Sequence, residues 1–348
     1  MSIVLQILVT LLVLSVLVMV HELGHYTAGR LLGFTITEFA LGMGPRVCGF
    51  KKNGTEYNLR AFPIGGMCQF FGEDAGVSDP RCFNAQKPWK RAIVIAAGPV
   101  MNFVLAFVLA MVMYMGWGTY DGTKVEIREV FPDSPAMEAG LEAGDMVLSA
   151  AGVQVNSIES LTEQVDAAQG EIELEVRRGR KTLTFTLAPR LDAESGRKLL
   201  GLSIGAPRIR DSFFEAAAHS ASYCWEMAGV IFKSFGMFFT GEAGFQDMSG
   251  VVGVTRVVGQ VMAYGADMVV ALSVLISVNL GIMNLLPIPA LDGGRLMFIL
   301  IEWVRGKPVP PEKEGIVHLV GFVLLMVLMV ALVVKDVWQW INGVGMLF

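Results

Sequence analysis

"VMVHELGHYTAGRLL", residues 19–33, closes an apolar run that begins at Ile3. A membrane helix takes roughly 20 mostly apolar residues, and this run is long enough. Ionisable groups at its end are costly without partners or a role. The run has no basic start and is followed by no small-residue cleavage site, so it reads as a retained membrane helix over about 3–25 and not as a signal peptide.

The rest of the composition agrees. Of 348 residues, 53% are hydrophobic and 17% charged. Mean hydropathy is +0.55. A soluble chain carries about 25% charged residues, so a membrane protein with a soluble part is expected. The net charge of −5 gives no reason to expect nucleic acid as a partner. Cys48, Cys68, Cys82 and Cys224 show no zinc-finger spacing, and no disulfide framework is expected.

Further apolar runs at about 92–117, 266–286 and 316–338 bring the expected number of transmembrane helices to about four. Residues 26–91 hold nine Lys/Arg, which by the positive-inside tendency puts this loop in the cytoplasm. Within it, Asn53-Gly54 is a hairpin turn signal, because both residues tolerate positive φ. Tyr57, Leu59 and Ala61 alternate with polar residues as in a strand. A membrane-associated β-hairpin over 35–72 is therefore expected.

From residue 119 the transmembrane pattern vanishes. Alternating stretches such as "EIELEV" and "TLTFTL" and the amphipathic "SIESLTEQVDAAQ" read as a compact α+β domain over 119–206. The polypeptide then divides into a first membrane half (1–118), the inserted domain, an amphipathic helix and linker (207–265), and a second membrane half (266–348). Within 212–239, Glu215, His219, Ser222, Glu226 and Lys233 fall on one helical stripe, which suits a helix lying in the membrane surface.

His21 and His25 project from one helical face a turn apart and can bind one Zn²⁺. Glu22 can then reach a metal-bound water and accept its proton, the HExxH logic of zinc proteases. A second stretch, "NLGIMNLLPIPALDGGRL" at 279–296, contains Asn284, Pro287, Pro289, Leu291, Asp292, Gly293 and Gly294 in the order N-x-x-P-x-P-x-L-D-G-G. With HELGH, this pair resembles the signatures of the site-2 protease family of intramembrane zinc proteases. "AAGPVMNF" (96–103) and "DMSGVVGV" (247–254) resemble further segments of that family, and "SPAMEAGLEAGDMVLSAAGVQV" resembles a PDZ domain of secreted bacterial proteases.

The resemblance implies a polytopic α-helical membrane protein with an extracytoplasmic PDZ domain and an active site near the cytoplasmic face. It implies Asp292 as the third zinc ligand, which the metal also requires if its fourth position is to take water. For Asp292 to return to the depth of His21, the 212–239 helix has to lie flat. Asn284 and Asn279 are candidate donors to substrate backbone or to a developing oxyanion, with helix packing the other reading of Asn279. Packing is also the expected role of Asn102, and packing or a surface place that of His219 and His318. Implied substrates are single-span membrane proteins already trimmed by a site-1-type protease, such as anti-sigma factors and remnant signal peptides. The PDZ domain would take a peptide C-terminus or exclude bulky substrates, and a strand edge within 47–72 would pair with the unwound substrate. Rival readings are a transporter, which predicts inverted repeats that the sequence lacks, and a catalytically inactive metal-binding membrane PDZ scaffold, against which Glu22 argues.

Overall fold

The computed structural model describes residues 2–73, 79–191 and 198–342. The outer limits of the two membrane halves and residues 192–197 of the inserted domain lie outside the described residues. The chain forms two units, one running to Met113 and resuming at Ala216, the other spanning Tyr114–Glu215.

In the first unit, α1 (Ile3–Leu31) contains HELGH and continues past it through Gly29, whose lack of a Cβ lets Phe70 pack against the helix: a Cβ there would lie 2.5 Å from the ring. Strands β1 (Ile36–Lys52) and β2 (Thr55–Phe70) follow. Their turn is the expected one: Asn53 has φ 51° and Gly54 φ 83°, as a two-residue hairpin demands. Both strands bend, and the pairing is richer than a single hairpin. Phe39 lies between Cys68 and Tyr57, and Leu41 between Gly66 and Leu59. Residues 38–41 are thus flanked on both sides, which leaves 66–70 as a rim. Phe34, Phe70 and Phe83 pack with Val94, Ile95 and Ile299 in one buried cluster under this sheet.

Helix α2 (Pro88–Trp117) leads to the second unit. There β3 (Thr119–Tyr120), β4 (Val125–Val130), α3 (Pro135–Ala139), β5 (Met146–Ala150), β6 (Val153–Gln154), α4 (Ile158–Ala167), β7 (Ile172–Arg178), β8 (Lys181–Leu187), β9 (Arg190–Leu191), β10 (Lys198–Leu199), β11 (Leu202–Gly205) and β12 (Arg208–Ile209) follow in turn. The main sheet has the order β11-β4-β5-β7-β8. The alternation in "EIELEV" is explained by Ile172, Leu174 and Val176, which all point into a core with Val125, Ile127, Leu161 and Val165. Pairing of β3 with β12 brings the two ends of the insertion together.

Back in the first unit, the chain continues through α5 (Phe213–Thr240), α6 (Val251–Tyr264), α7 (Ala266–Leu285), α8 (Asp292–Arg305) and α9 (Pro311–Ile341). Among the described residues, four helices are long and apolar enough to cross a membrane: Ile3–Leu31, Pro88–Trp117, Ala266–Leu285 and Glu312–Ile341. These are the four expected. On α5, the stripe from Glu215 to Lys233 is exposed, whereas Ala216, Ser220 and Ile231 are buried.

Two helices were not anticipated. Helix α6 lies within what reads as linker, and its N-terminus is held by another helix. Asp336 of α9, buried, accepts from the N–H groups of Gly250 (2.9 Å) and Gly253 (2.8 Å), supplying a carboxylate to orphan donors at the positive end of a helix. This accounts for the glycines of "DMSGVVGV": a Cβ at either position would stand 3.1 Å from that carboxylate. Helix α8 begins at Asp292 itself, after the irregular stretch Leu286–Leu291.

Candidate active site

Helical periodicity places His21 and His25 one above the other on α1. Their Nε2 atoms are 3.1 Å apart. Asp292, at the start of α8, brings its Oδ2 to 3.1 Å from His21 Nε2 and 3.4 Å from His25 Nε2. A tetrahedral zinc with bonds of about 2.0–2.1 Å holds its ligands about 3.3 Å apart. The three donor atoms therefore have the spacing of one face of such a site, and two imidazoles with a carboxylate are a donor set zinc accepts. The residues fit the metal.

The imidazoles are oriented from behind. His25 Nδ1 donates to the carbonyl of Val94 on α2 at 2.9 Å, which leaves Nε2 as the lone-pair donor. His21 Nδ1 lies 3.1 Å from the side-chain amide of Asn102. If Nε2 is to ligate, Nδ1 carries the proton, and the amide must turn its oxygen toward it; amide O and N are interchangeable by rotation. Asn102 is thus more than the packing residue expected from sequence, because its side chain meets a histidine of the cluster. Its backbone carbonyl also accepts from Ser277 of α7 at 2.7 Å.

The glycine of "AAGPVMNF" has an equally local cause. A Cβ on Gly98 would lie 2.3 Å from His25 Nε2 and 2.9 Å from His21 Cε1. Only glycine lets α2 approach the two rings.

Glu22 faces a cavity of about 330 Å³ that also contains His21, His25 and Asp292. The rim segment of β2, Gly66–Phe70, forms one wall. Gly66 runs close against α1, where a Cβ would come within 2.6 Å of Glu22 Cγ. Glu73 and Arg295 close another side and form an ion pair with each other. Neither stands out in the sequence. Arg295 lies one helical turn beyond Asp292, which is the only hint of its place. Helix α8 is tied to α2 by the Arg91–Glu302 ion pair at 2.5 Å, both side chains largely buried.

Asn279 and Asn284 do not line this cavity. The buried positions of α7 are Asp267, Ser273, Val274, Ser277, Val278, Gly281 and Ile282, a stripe turned toward protein. Helical phase puts Asn279, exposed, on the far side of that stripe and Asn284, half-buried, on its flank. The oxyanion role expected of them has no support in this geometry. His219 is exposed on α5, and His318 has a partner described below. Cys48, Cys68, Cys82 and Cys224 are free.

The sequence pattern of peptidase family M50 matches residues 9–328. The chain belongs to peptidase family M50. It is 35% identical over 340 residues to a protein of Clostridium acetobutylicum, covering 97% of this chain and 98% of that one. It is 32% identical to the zinc metalloprotease RasP of Shouchella clausii, over 93% of this chain and 97% of the relative. It is 28% identical to the regulator of sigma-W protease RasP of Bacillus subtilis, over 94% and 97%. This M50 chain is a zinc metalloprotease of the site-2 protease family and a multi-pass membrane protein.

Proposed function

We propose that this metalloprotease hydrolyses peptide bonds within the transmembrane segments of single-span membrane proteins. The observation that carries the reading is the placement of HELGH inside α1, an apolar helix of 29 residues, with Asp292 meeting it there. His21, His25 and Asp292 would hold the zinc. When bound, zinc would draw the pKa of a water down toward ~7 and polarise the carbonyl to be cut. Glu22, on the cavity wall beside the ligands, takes the proton of the attacking water and holds it for the leaving nitrogen.

A transmembrane substrate is a helix and has to be unwound before it can be cut, and freed amides in lipid are expensive. The rim segment Gly66–Phe70 offers a strand edge beside Glu22 where an extended substrate can pair its backbone. This narrows the broader 47–72 region to the part that reaches the cavity. Asn284, on the flank of α7, is left a role in contacting substrate on its approach.

The basic loop between α1 and α2 supports a cytoplasmic-side active site with the inserted domain outside, and the polar stripe of α5 supports a helix lying in the membrane surface. The inserted domain is read as a PDZ domain. Between α4 and the edge strand β11 it has a groove of about 300 Å³ lined by Phe131, Leu161, Val165, Leu202 and Ile204, suited to an apolar peptide C-terminus. It would bind the end left by a site-1-type protease or exclude untrimmed proteins. Anti-sigma factors and remnant signal peptides are the substrate classes of this reading, and the name of the Bacillus subtilis relative, regulator of sigma-W protease, supports a link to sigma-factor control.

The test replaces Glu22 with Gln and follows a single-span substrate in cells. Uncut substrate accumulates while the purified variant keeps its zinc. Normal cutting by that variant would overturn the assignment.

A further inference from the structure

The stretch Leu286–Leu291, "LPIPAL", carries Asp292 into the site, and its hydrogen bonding can be accounted for donor by donor. Pro287 and Pro289 have no N–H. Leu286 donates to Met283 O at 3.2 Å, Ile288 to Leu286 O at 2.6 Å and Leu291 to Ile288 O at 3.2 Å. Each of these bonds stays within the local chain. The N–H of Ala290 goes elsewhere: it donates to His318 Nδ1 on α9 at 2.9 Å.

Ala290 has φ +74°, a left-handed conformation that an L-residue with a Cβ adopts only when its surroundings hold it there. Helix α9 supplies those surroundings at two points on one face. His318 takes the N–H, and one turn on, Gly321 lies so close to Pro289 that a Cβ there would be 2.4 Å from the proline Cβ. The imidazole is itself fixed. Its ring lies 5.5 Å from that of Phe298 on α8, and its Nε2 faces Glu314 Oε1 at 3.8 Å. An Nδ1 that accepts requires the tautomer with the proton on Nε2, the nitrogen turned toward that carboxylate.

We propose that His318 is a positioning residue for the metal centre: by accepting the Ala290 N–H it holds Leu286–Leu291 in the shape that turns Asp292 toward His21 and His25. The inference rests on Asp292 being a zinc ligand. Loss of a group that orients a ligand typically weakens metal binding about 10–100-fold.

Chelator competition on the purified full-length protein measures zinc affinity in three variants. Asn at position 318 carries an acceptor close to where Nδ1 sits, whereas Gln carries it near the place of Nε2. His318→Asn therefore binds zinc within about threefold of wild type, and His318→Gln binds about tenfold more weakly. In the cobalt-loaded proteins the visible ligand-field bands of the Asn variant match wild type and those of the Gln variant shift. Wild-type affinity in His318→Gln, or equal loss in both, would overturn the proposal. Should His318→Gln not fold, Gly321→Ala presses on Pro289 from the same helix and takes its place, with the same expected loss and the same contrary result. Asp292→Asn separates the two claims. Zinc lost there with His318→Gln unaffected removes only the positioning role, while zinc retained there removes the ligand assignment and the proposal with it.

Discussion

His21 and His25 stand one turn apart on α1, and the helix alone sets their spacing. Asp292 arrives by another route, after six residues of irregular backbone pinned to α9 through Ala290 and Pro289. One half of the proposed metal centre is therefore a local feature of the chain and the other a product of tertiary packing. The difference shows where the centre is vulnerable. Substitutions near the histidines act by contact, whereas the carboxylate can be moved from a helix whose nearest positioning group never touches the metal.

The largest effect is expected from the proposed ligands themselves. Removing one from either half, His25→Ala or Asp292→Ala, lowers zinc affinity beyond the roughly 100-fold that marks loss of a supporting group, and cleavage falls with it. Zinc content after dialysis checks this, and zinc lost in only one of the two variants would break the claim that both halves hold the metal. Next is Gly98→Ala, which drives a methyl group into His25 and His21. About 10–100-fold weaker zinc binding is expected, by the same measurement, with the α2 contact as its cause.

Asp336→Ala acts on the packing side. It leaves the N–H groups of Gly250 and Gly253 without their charged acceptor, at a cost of about 1–3 kcal/mol, read as a lower Tm of the purified protein.

The smallest effect belongs to the inserted domain. Burial alone would raise the Asp145 carboxyl, but Arg178 outweighs it, donating from Nε and Nη2 at 2.7 Å each, and with the Glu142 N–H holds it below the ordinary carboxylate range. A depressed pKa in the folded state adds stability that is complete above the unfolded value and lost as pH falls through the folded one. Asp145→Asn thus lowers resistance of this domain to proteolysis at pH 7 by about 1 kcal/mol. The gap narrows once pH falls below about 4, and zinc binding is unchanged throughout.

The same contrast explains what could be read from sequence. The four spans, the Asn53-Gly54 turn and the α+β insertion rest on hydropathy, local φ preference and alternation, all of which are written in neighbouring residues. The HELGH half of the site is equally local. The bending of β1 and β2 that makes Gly66–Phe70 a rim depends on which strands meet, and no alternation pattern encodes that. Helix α8 was hidden because its amphipathic stretch follows two prolines and two glycines. Asn102, Arg295 and His318 owe their places to contacts with distant parts of the chain, which neighbouring residues do not encode. Asn279 and Asn284 show that a motif shared with Asp292 does not by itself carry a side chain to the cavity, since the phase of α7 sets their directions.

The most direct test of the account is whether Asp292 and the α1 histidines bind one zinc. X-ray absorption at the zinc edge of Asp292→Cys, loaded with one equivalent of metal, addresses it. The account predicts one sulfur neighbour at about 2.3 Å beside nitrogen neighbours at about 2.0–2.1 Å. A zinc shell with imidazole but no sulfur would contradict it.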